Sequence, residues 1–410
     1  MEQLLSVEKA KEILLQKFLQ KEATLIPISS AMGRILSEDI NASINLPPFN
    51  NSSMDGFAVI AEDVINATQD KPVSLNILED IAAGFSPKHA LSRGQSSRIM
   101  TGAPLPNGAD AVVPVEFTNF SDRYAQKALP DEILVYKPVK MGDYLRPEGQ
   151  DILKGEKIFS KGHKLRPQDL GFLSAQGIAE VSVVSQPKIA LLSSGDELIN
   201  PGEKLIPGKI YNSNTITIKT LLESFGAQVF DLGVAKDNFE DVKAKFRSIE
   251  NLDVDLFVST AGVSVGVYDF IRDVILEQGT LNFWKVNMRP GKPLTFGEYK
   301  NIPFIGLPGN PVSAYVSTIV FIKHVINKLL GNGEETQYFS AVLDENIESD
   351  GRESYLRIVA SNEAGNYHAK LAQHQGSGNI FSLVCANALL IIPAGVKSLP
   401  KGKSVKFFWI

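Results

Sequence analysis

KIALLSSG, residues 188–195, is an apolar run of strand length closed by two serines and a glycine. An alternating pattern marks a strand with one wet face, whereas a continuous apolar run fits one buried on both sides. The residues downstream keep that reading. NTITIKTLLESFG (214–226) reads as a helix with Asn214 as N-cap and Gly226 just past its end. AQVFDLG (227–233) reads as a strand, NFEDVKAKFRSI (238–249) as a helix, and VDLFVSTAG (254–262) as a strand. VYDFIRDVILEQG (267–279) is then a helix and LNFWKVNM (281–288) a strand. Such β–α alternation predicts a parallel sheet with helices on both faces. A two-stranded piece, PLTFGEY and IPFIGL, closes the segment, and a long helix starts at Asn310 with Pro311 in its first turn.

Outward from this segment the texture changes twice. VEKAKEILLQKFLQ (7–20) predicts an amphipathic helix with Ser6 as N-cap. Between 46 and 139 short runs such as VSLNIL and DEILVY alternate with Pro, Gly and Asn turns, a β-rich pattern. A turn-rich return leads to a helix in RPQDLGFLSAQG (166–177), and beyond Gly331 the chain is strand-like to its end. The expected architecture is α/β multidomain. It comprises a linking domain (1–45 and 140–180), a β-rich domain (46–139), an α/β domain (181–331) and a C-terminal β-barrel (332–410).

The 410 residues carry a net charge of −5, which argues against a general nucleic-acid binder. The single cysteine, Cys385, excludes an intramolecular disulfide and is expected to be buried as a small hydrophobe in LVCANALLII. The N-terminus lacks a signal-peptide core, and VSAYVSTIVFI (312–322) is too short to span a bilayer. A cytoplasmic protein with no membrane partner is expected. Five scattered histidines without metal-ligand spacing leave oxygen ligation, hence a hard cation, as the metal chemistry to consider.

In an open parallel sheet, ligands bind at the carboxyl ends of the strands. Polar loops fall there: SSGDEL (193–198) with Asp196 and Glu197, AKDNFED (235–241) with Asp237, and STAGVSVGVYDF (259–270) with Gly262, Ser264, Gly266 and Asp269. KVNMRPGKP (285–293) adds Lys285, Arg289 and Lys292 with no acid among them. Each string alone is explained by tight turns or helix-start electrostatics. Together, glycines that admit close approach, helix-start N–H groups and a rigid cationic loop make an anion site. Neighbouring carboxylates would repel that anion unless Mg²⁺ bridged them. The residues therefore point to a Mg²⁺-assisted enzyme acting on a phosphorylated or nucleotide-linked small molecule.

SSMDGFA, TGAPLP, GADAVV, SSGDEL, AGVSVGVYD, RPGKP and LPGNPVS follow one another in the order found in the molybdopterin molybdenumtransferases, the MoeA-type proteins related to the gephyrin E domain. From about residue 5 to the end the chain resembles that family. The resemblance implies a homodimer with a molybdopterin-binding-type three-layer α/β domain. It also implies insertion of molybdate into adenylylated molybdopterin with Mg²⁺-dependent release of AMP, and a molybdopterin adenylyltransferase as partner. Carried over by position, it implies functional roles for Asp55 and Thr101 in the β-rich domain, and for Asp151, Glu197, Asp237, Asp269, Lys285, Arg289 and Lys292. Pro308, Gly309, Asn310, Pro311 and Ser377 would contact substrate, as would Gly262, Ser264 and Gly266, and Glu197 and Asp269 would hold the metal. RPGKP and Lys285 would hold molybdate or the substrate's phosphate. The chain departs from the family pattern at Arg289 (for lysine), Ala261 (for glycine), Gln150 (for an acid) and Ser194 (for threonine). A non-catalytic scaffold or carrier of the gephyrin E-domain type is the alternative.

Overall fold

The computed structural model describes residues 4–120, 129–260, 270–333 and 336–410. The chain divides into two compact units, one formed by residues 1–26, 33–37 and 182–410 and the other by 27–32 and 38–181. Helix α1 (Val7–Leu15) belongs to the first, and Ser6 caps it by accepting from the Lys9 N–H, as its sequence predicts. Among the described residues no helix is long and apolar enough to cross a membrane.

The second unit is built on a five-stranded sheet. Its strands are β1 (Gly56–Val59), β2 (Val73–Ile81), β3 (Gln95–Ile99), β4 (Ala111–Pro114) and β5 (Glu132–Val135), in the order β4-β1-β3-β2-β5. Phe57, Leu75, Val113 and Ile133 pack in its core. Helix α2 (Pro167–Ala175) begins on a tight staple. Asp169 accepts from the Arg166 N–H (2.9 Å) and from His163 Nε2 (2.8 Å), while the Nε/Nη2 edge of the Arg166 guanidinium grips both oxygens of the same carboxylate.

In the first unit the opening octapeptide becomes β6 (Lys188–Ser194). Its partners are β7 (Gln228–Ala235) on one side and β8 (Leu256–Thr260) on the other, both parallel. Alternate residues of β6 enter different cores. Ile189 and Leu191 pack with Ile218 and Leu222 of α3 (Ser213–Ser224), whereas Ala190 and Leu192 face Val242 and Phe246 of α4 (Phe239–Ile249). Each fully buried leucine contributes about 2 kcal/mol, so the strand is fixed from both sides. Helix α5 (Phe270–Gln278) joins the second core through Ile271 and Val274.

After α5 the strict alternation stops. The next strand, β9 (Gly279–Lys285), is not a fourth parallel neighbour but an edge strand, antiparallel to β11 (Pro293–Tyr299). Between them lies the short β10 (Met288–Arg289), and β11 turns back antiparallel to β12 (Ile302–Leu307), which pairs parallel with β8. The sheet is thus mixed, in the order β7-β6-β8-β12-β11-β9. The physical reason is loop length: the turns flanking β11 are too short for a crossover. Helices α6 (Pro311–Ser317) and α7 (Lys323–Leu329) are joined through a π-helical segment, Thr318–Ile322.

The C-terminal strands β13 (Phe339–Leu343), β14 (Glu353–Glu363), β15 (Asn366–Leu371), β16 (Ala388–Ile392) and β17 (Ser404–Trp409) close on themselves in the order β14-β15-β13-β17-β16, with β16 returning to β14. Leu343, Ile358, Leu390 and Phe407 fill this five-stranded barrel. Strand β10 pairs with β14, Met288 opposite Glu353 and Arg289 opposite Ser354, so the cationic loop is bound to the barrel wall. Helix α8 (Phe381–Cys385) crosses one end, and Cys385 there is half-buried rather than fully enclosed, because the helix is a single exposed turn.

Candidate functional site

The carboxyl edge of the sheet forms a cleft of about 540 Å³. Ser194 and Glu197 line it after β6, Thr260 at the end of β8, and Pro308, Gly309, Asn310 and Pro311 after β12. Asn212, Ser213 and Asn214 bring the N-terminal turn of α3 to the same wall, with its N–H groups and positive dipole end. Beneath it, the Ser193 hydroxyl bonds to Thr215 (2.6 Å) and Thr260 (2.7 Å), and the Asn212 amide donates to Thr215 (2.8 Å). All four side chains are buried. This network ties two strand ends to one helix start, so the cleft floor is pre-organised.

The structure corrects one cap. Asn212, not Asn214, caps α3, its Oδ1 accepting from the Thr215 N–H at 3.1 Å. Asn214 lies two positions further on, inside the first turn, and donates to the Gly309 carbonyl at 2.7 Å. It therefore braces the LPGNP loop instead. Asn310 does sit at the N-cap of α6, but its amide donates to the Ser377 hydroxyl (3.1 Å), linking that loop to the barrel. Ser377 also accepts the Val312 N–H at its carbonyl (3.1 Å).

Of the acids, Asp237 does not cap α4; Asn238 does, accepting from the Asp241 N–H. Asp237 instead accepts from the Ser194 hydroxyl (3.0 Å) and from the Asp196 N–H (3.2 Å), while its own N–H donates to Asp196. Those two carboxylates brace the loops. Glu197 is exposed to the cleft, and the missing side chain of Gly195 makes room for it: a Cβ there would stand 2.6 Å from Glu197 Oε2. Gly262, Ser264, Gly266 and Asp269 lie outside the described residues.

A second cleft, of about 270 Å³, adjoins the first and shares Pro293 and Asn310 with it. Four cations line it: Arg289 and Lys292 from the RPGKP loop, Arg352 and Arg357 from the barrel side. Lys285, at the end of β9 opposite Pro293, stands 5.7 Å from the Trp284 ring centroid. Arg357 is fully buried, yet among the described residues its side chain bonds to neutral groups: Nε donates to Ser382 Oγ and Nη2 to the Gly376 carbonyl, both at 3.0 Å. Burial, followed by repulsion from Arg289, lowers its pKa to about 10. Arg352 and Arg357 were not singled out from sequence. The signal was there for Arg357, a cation interrupting the apolar run YLRIVA (355–360).

Asp55, Thr101 and Asp151 belong to the other unit. There the Asp55 Oδ1 accepts from both the N–H and the hydroxyl of Thr101, at 2.8 Å each. Gly56 holds that turn against β4, for a Cβ on it would stand 2.1 Å from the Val113 carbonyl oxygen. Asp151 is exposed, and its N–H ties its segment to residue 46 by donating to the Leu46 carbonyl (2.8 Å).

Among the described residues no three acidic, imidazole or thiol groups stand close enough together to hold a metal. Mg²⁺ typically keeps several waters and needs only one or two carboxylates beside substrate phosphates. Glu197 fits that requirement.

A pre-organised sheet-edge cleft joined to a pocket of four cations defines a class: an α/β protein that handles an anionic small molecule, with a β-barrel completing its site. Comparison with known proteins narrows this. The chain belongs to the MoeA family, with a role in molybdenum cofactor biosynthesis. Residues 5–177 match the MoeA N-terminal region (domain I and II), 190–328 the probable molybdopterin binding domain, and 340–408 the MoeA C-terminal region (domain IV). The molybdopterin molybdenumtransferase of Haemophilus influenzae is 33% identical over 408 residues, 98% of each chain. That of a Nostoc species is 33% identical over 395 residues, covering 94% of this chain and 88% of its own. A crystal structure of the MoeA protein of Pyrococcus horikoshii superposes with a TM-score of 0.81 at 32% identity, covering 99% of both chains.

Proposed function

We propose that this chain is a molybdopterin molybdenumtransferase, inserting molybdate into the dithiolene of adenylylated molybdopterin with release of AMP. The observation that carries the proposal is the adjacency of the two clefts. A pocket of about 270 Å³ lined by Arg289, Lys292, Arg352 and Arg357 suits a small tetrahedral dianion, and it opens beside a larger polar cleft of about 540 Å³ suited to a pterin nucleotide. Guanidinium forks match tetrahedral oxyanions edge to edge, and Lys292 adds a compact point charge.

The residues act by binding and orientation. The N-terminal turn of α3, with Asn212 and Ser213, receives the substrate's anionic linkage. Asn214 and Asn310 hold the Pro308–Pro311 loop between the two clefts. The cations hold molybdate where the dithiolene sulfurs meet it, and its rigid proline-flanked loop loses little entropy in doing so. Mg²⁺, held at Glu197 with Asp269 as the second acid expected from sequence, would neutralise charge on the pyrophosphate as AMP leaves. The protein works as a cytoplasmic homodimer and receives its substrate from a molybdopterin adenylyltransferase.

The test is AMP release from adenylylated molybdopterin by the purified protein with Mg²⁺, with and without molybdate. Release that depends on molybdate, and is lost in Lys292→Ala, is the expected result. A pterin nucleotide that binds without AMP ever being released would overturn the proposal in favour of a scaffold or carrier.

A further inference from the structure

One arginine of the cationic pocket, Arg352, already holds a carboxylate beside it. Asp350, in the turn before β14, presents Oδ2 to Arg352, bonding to Nε at 3.0 Å and to Nη2 as well. The same oxygen stands 4.0 Å from Arg289 Nη1. Arg352 Nη1 donates to the Met288 carbonyl (3.1 Å), which fixes the guanidinium plane. Asp350 Oδ1 accepts the Arg352 N–H at 3.1 Å, so the carboxylate is held by a two-residue turn. Both arginines hold its pKa below the usual carboxylate range, Arg352 more strongly.

We propose that Asp350 is the built-in counter-anion that sets the selectivity of this pocket for dianions. The proposal rests on the anion-binding reading of the pocket. The Nε/Nη2 edge of Arg352 is the face with which a guanidinium grips two oxygens of a tetrahedral anion, and Asp350 already fills it. An entering anion gains that edge only by displacing a carboxylate whose local concentration is high because it is two residues away. A monoanion offers the arginines no more charge than Asp350 does and leaves it in place. A dianion offers twice the charge to Arg289, Arg352 and Arg357 together, and wins. Among the described residues no carboxylate bonds to Lys292 or Arg357, so the incoming anion meets the exposed Lys292 first, with the buried Arg357 behind it.

The test is calorimetric titration of the full-length protein with molybdate, sulfate, nitrate and formate at low ionic strength, for the natural chain, Asp350→Asn and Asp350→Ala. Asparagine keeps the turn but not the charge, and circular dichroism checks the fold of both variants. The expected result is molybdate and sulfate binding tightened about tenfold in both variants, with nitrate and formate becoming competitors. Unchanged or weakened dianion binding in both variants, while the natural chain still binds molybdate, overturns the counter-anion role. Failure of the natural chain to bind molybdate or sulfate at all overturns the anion reading beneath it. A gain in Asp350→Ala alone would trace the effect to the turn and not to the charge, and would also overturn the proposal, whereas a gain in Asp350→Asn alone supports it.

Discussion

Replacing Arg357 by methionine is expected to leave the unliganded protein more stable while abolishing its response to molybdate. Arg357 is 0% exposed, and among the described residues its side chain bonds to a serine hydroxyl and carbonyl oxygens. Its pKa, lowered to about 10 chiefly by burial, measures the cost of keeping that charge without an anion. At about 1.4 kcal/mol per pH unit the upper bound is roughly 3 kcal/mol, and water in the adjoining cleft reduces it to about 1–2 kcal/mol. Methionine fills a similar volume, leaves Ser382 bonded to the Asn379 carbonyl, and frees only the exposed Gly376 carbonyl to water. The net change is a gain of about 1 kcal/mol, or about 2 °C in melting midpoint. Molybdate at a hundred times its Kd stabilises the natural chain by about 2.7 kcal/mol, and that shift disappears in Arg357→Met. Differential scanning fluorimetry with and without molybdate reads both quantities. A variant that melts several degrees lower without anion, yet still rises with it, would refute the reasoning.

Four further outcomes follow from described geometry. His324 is neutral in the folded protein, its pKa lowered from 6.5 to about 4 by burial and by Lys11 and Lys323. Unfolding therefore takes up a proton between those values. This contribution is complete above pH 6.5 and lost as pH falls toward 4, and urea midpoints across that range should flatten in His324→Phe. Asp169, held far below its ordinary carboxylate range by Arg166 and then His163, contributes stability that is lost only as pH falls below that range; Asp169→Asn should cost about 2–3 kcal/mol at pH 7 by urea unfolding. Asn214→Ala removes the brace on the Gly309 carbonyl and should lower kcat/KM for AMP release several-fold with a melting change of about 1 °C. Gly56→Ala sets a Cβ 2.1 Å from the Val113 oxygen and should cost about 3 kcal/mol or more, seen as an earlier melt of the β-rich unit.

What the sequence made legible was what local physics decides. KIALLSSG declared its two buried faces because a continuous apolar run has nowhere else to go, and its alternate residues do enter separate cores. RPGKP declared a stiff cationic loop because its prolines and charges are adjacent in the chain, and that loop does line the smaller cleft. The turnover from parallel to antiparallel at β9 was less legible, since it depends on the short turns around β11 and not on either strand's composition. The cap of α3 was displaced from Asn214 to Asn212 because both asparagines suit an N-cap and only the bond from Asn214 to Gly309 distinguishes them. Arg352 and Arg357 reach the pocket from the turn before β14 and from β14 itself, some sixty residues after RPGKP. No pattern near either segment announces that they meet.

The pairing of β10 with β14 bears on how this protein can be divided or rebuilt. The α/β segment ends near Gly331, yet Arg352, Arg357, Gln375 and Ser377 of the smaller cleft's wall all come after it. A chain trimmed at that boundary would keep a folded-looking sheet and lose two of the four cations of the smaller cleft, with the RPGKP loop deprived of its strand partner. Gene fusions and excised fragments of this chain should therefore retain the barrel as part of the smaller cleft's wall, because it is no detachable appendage.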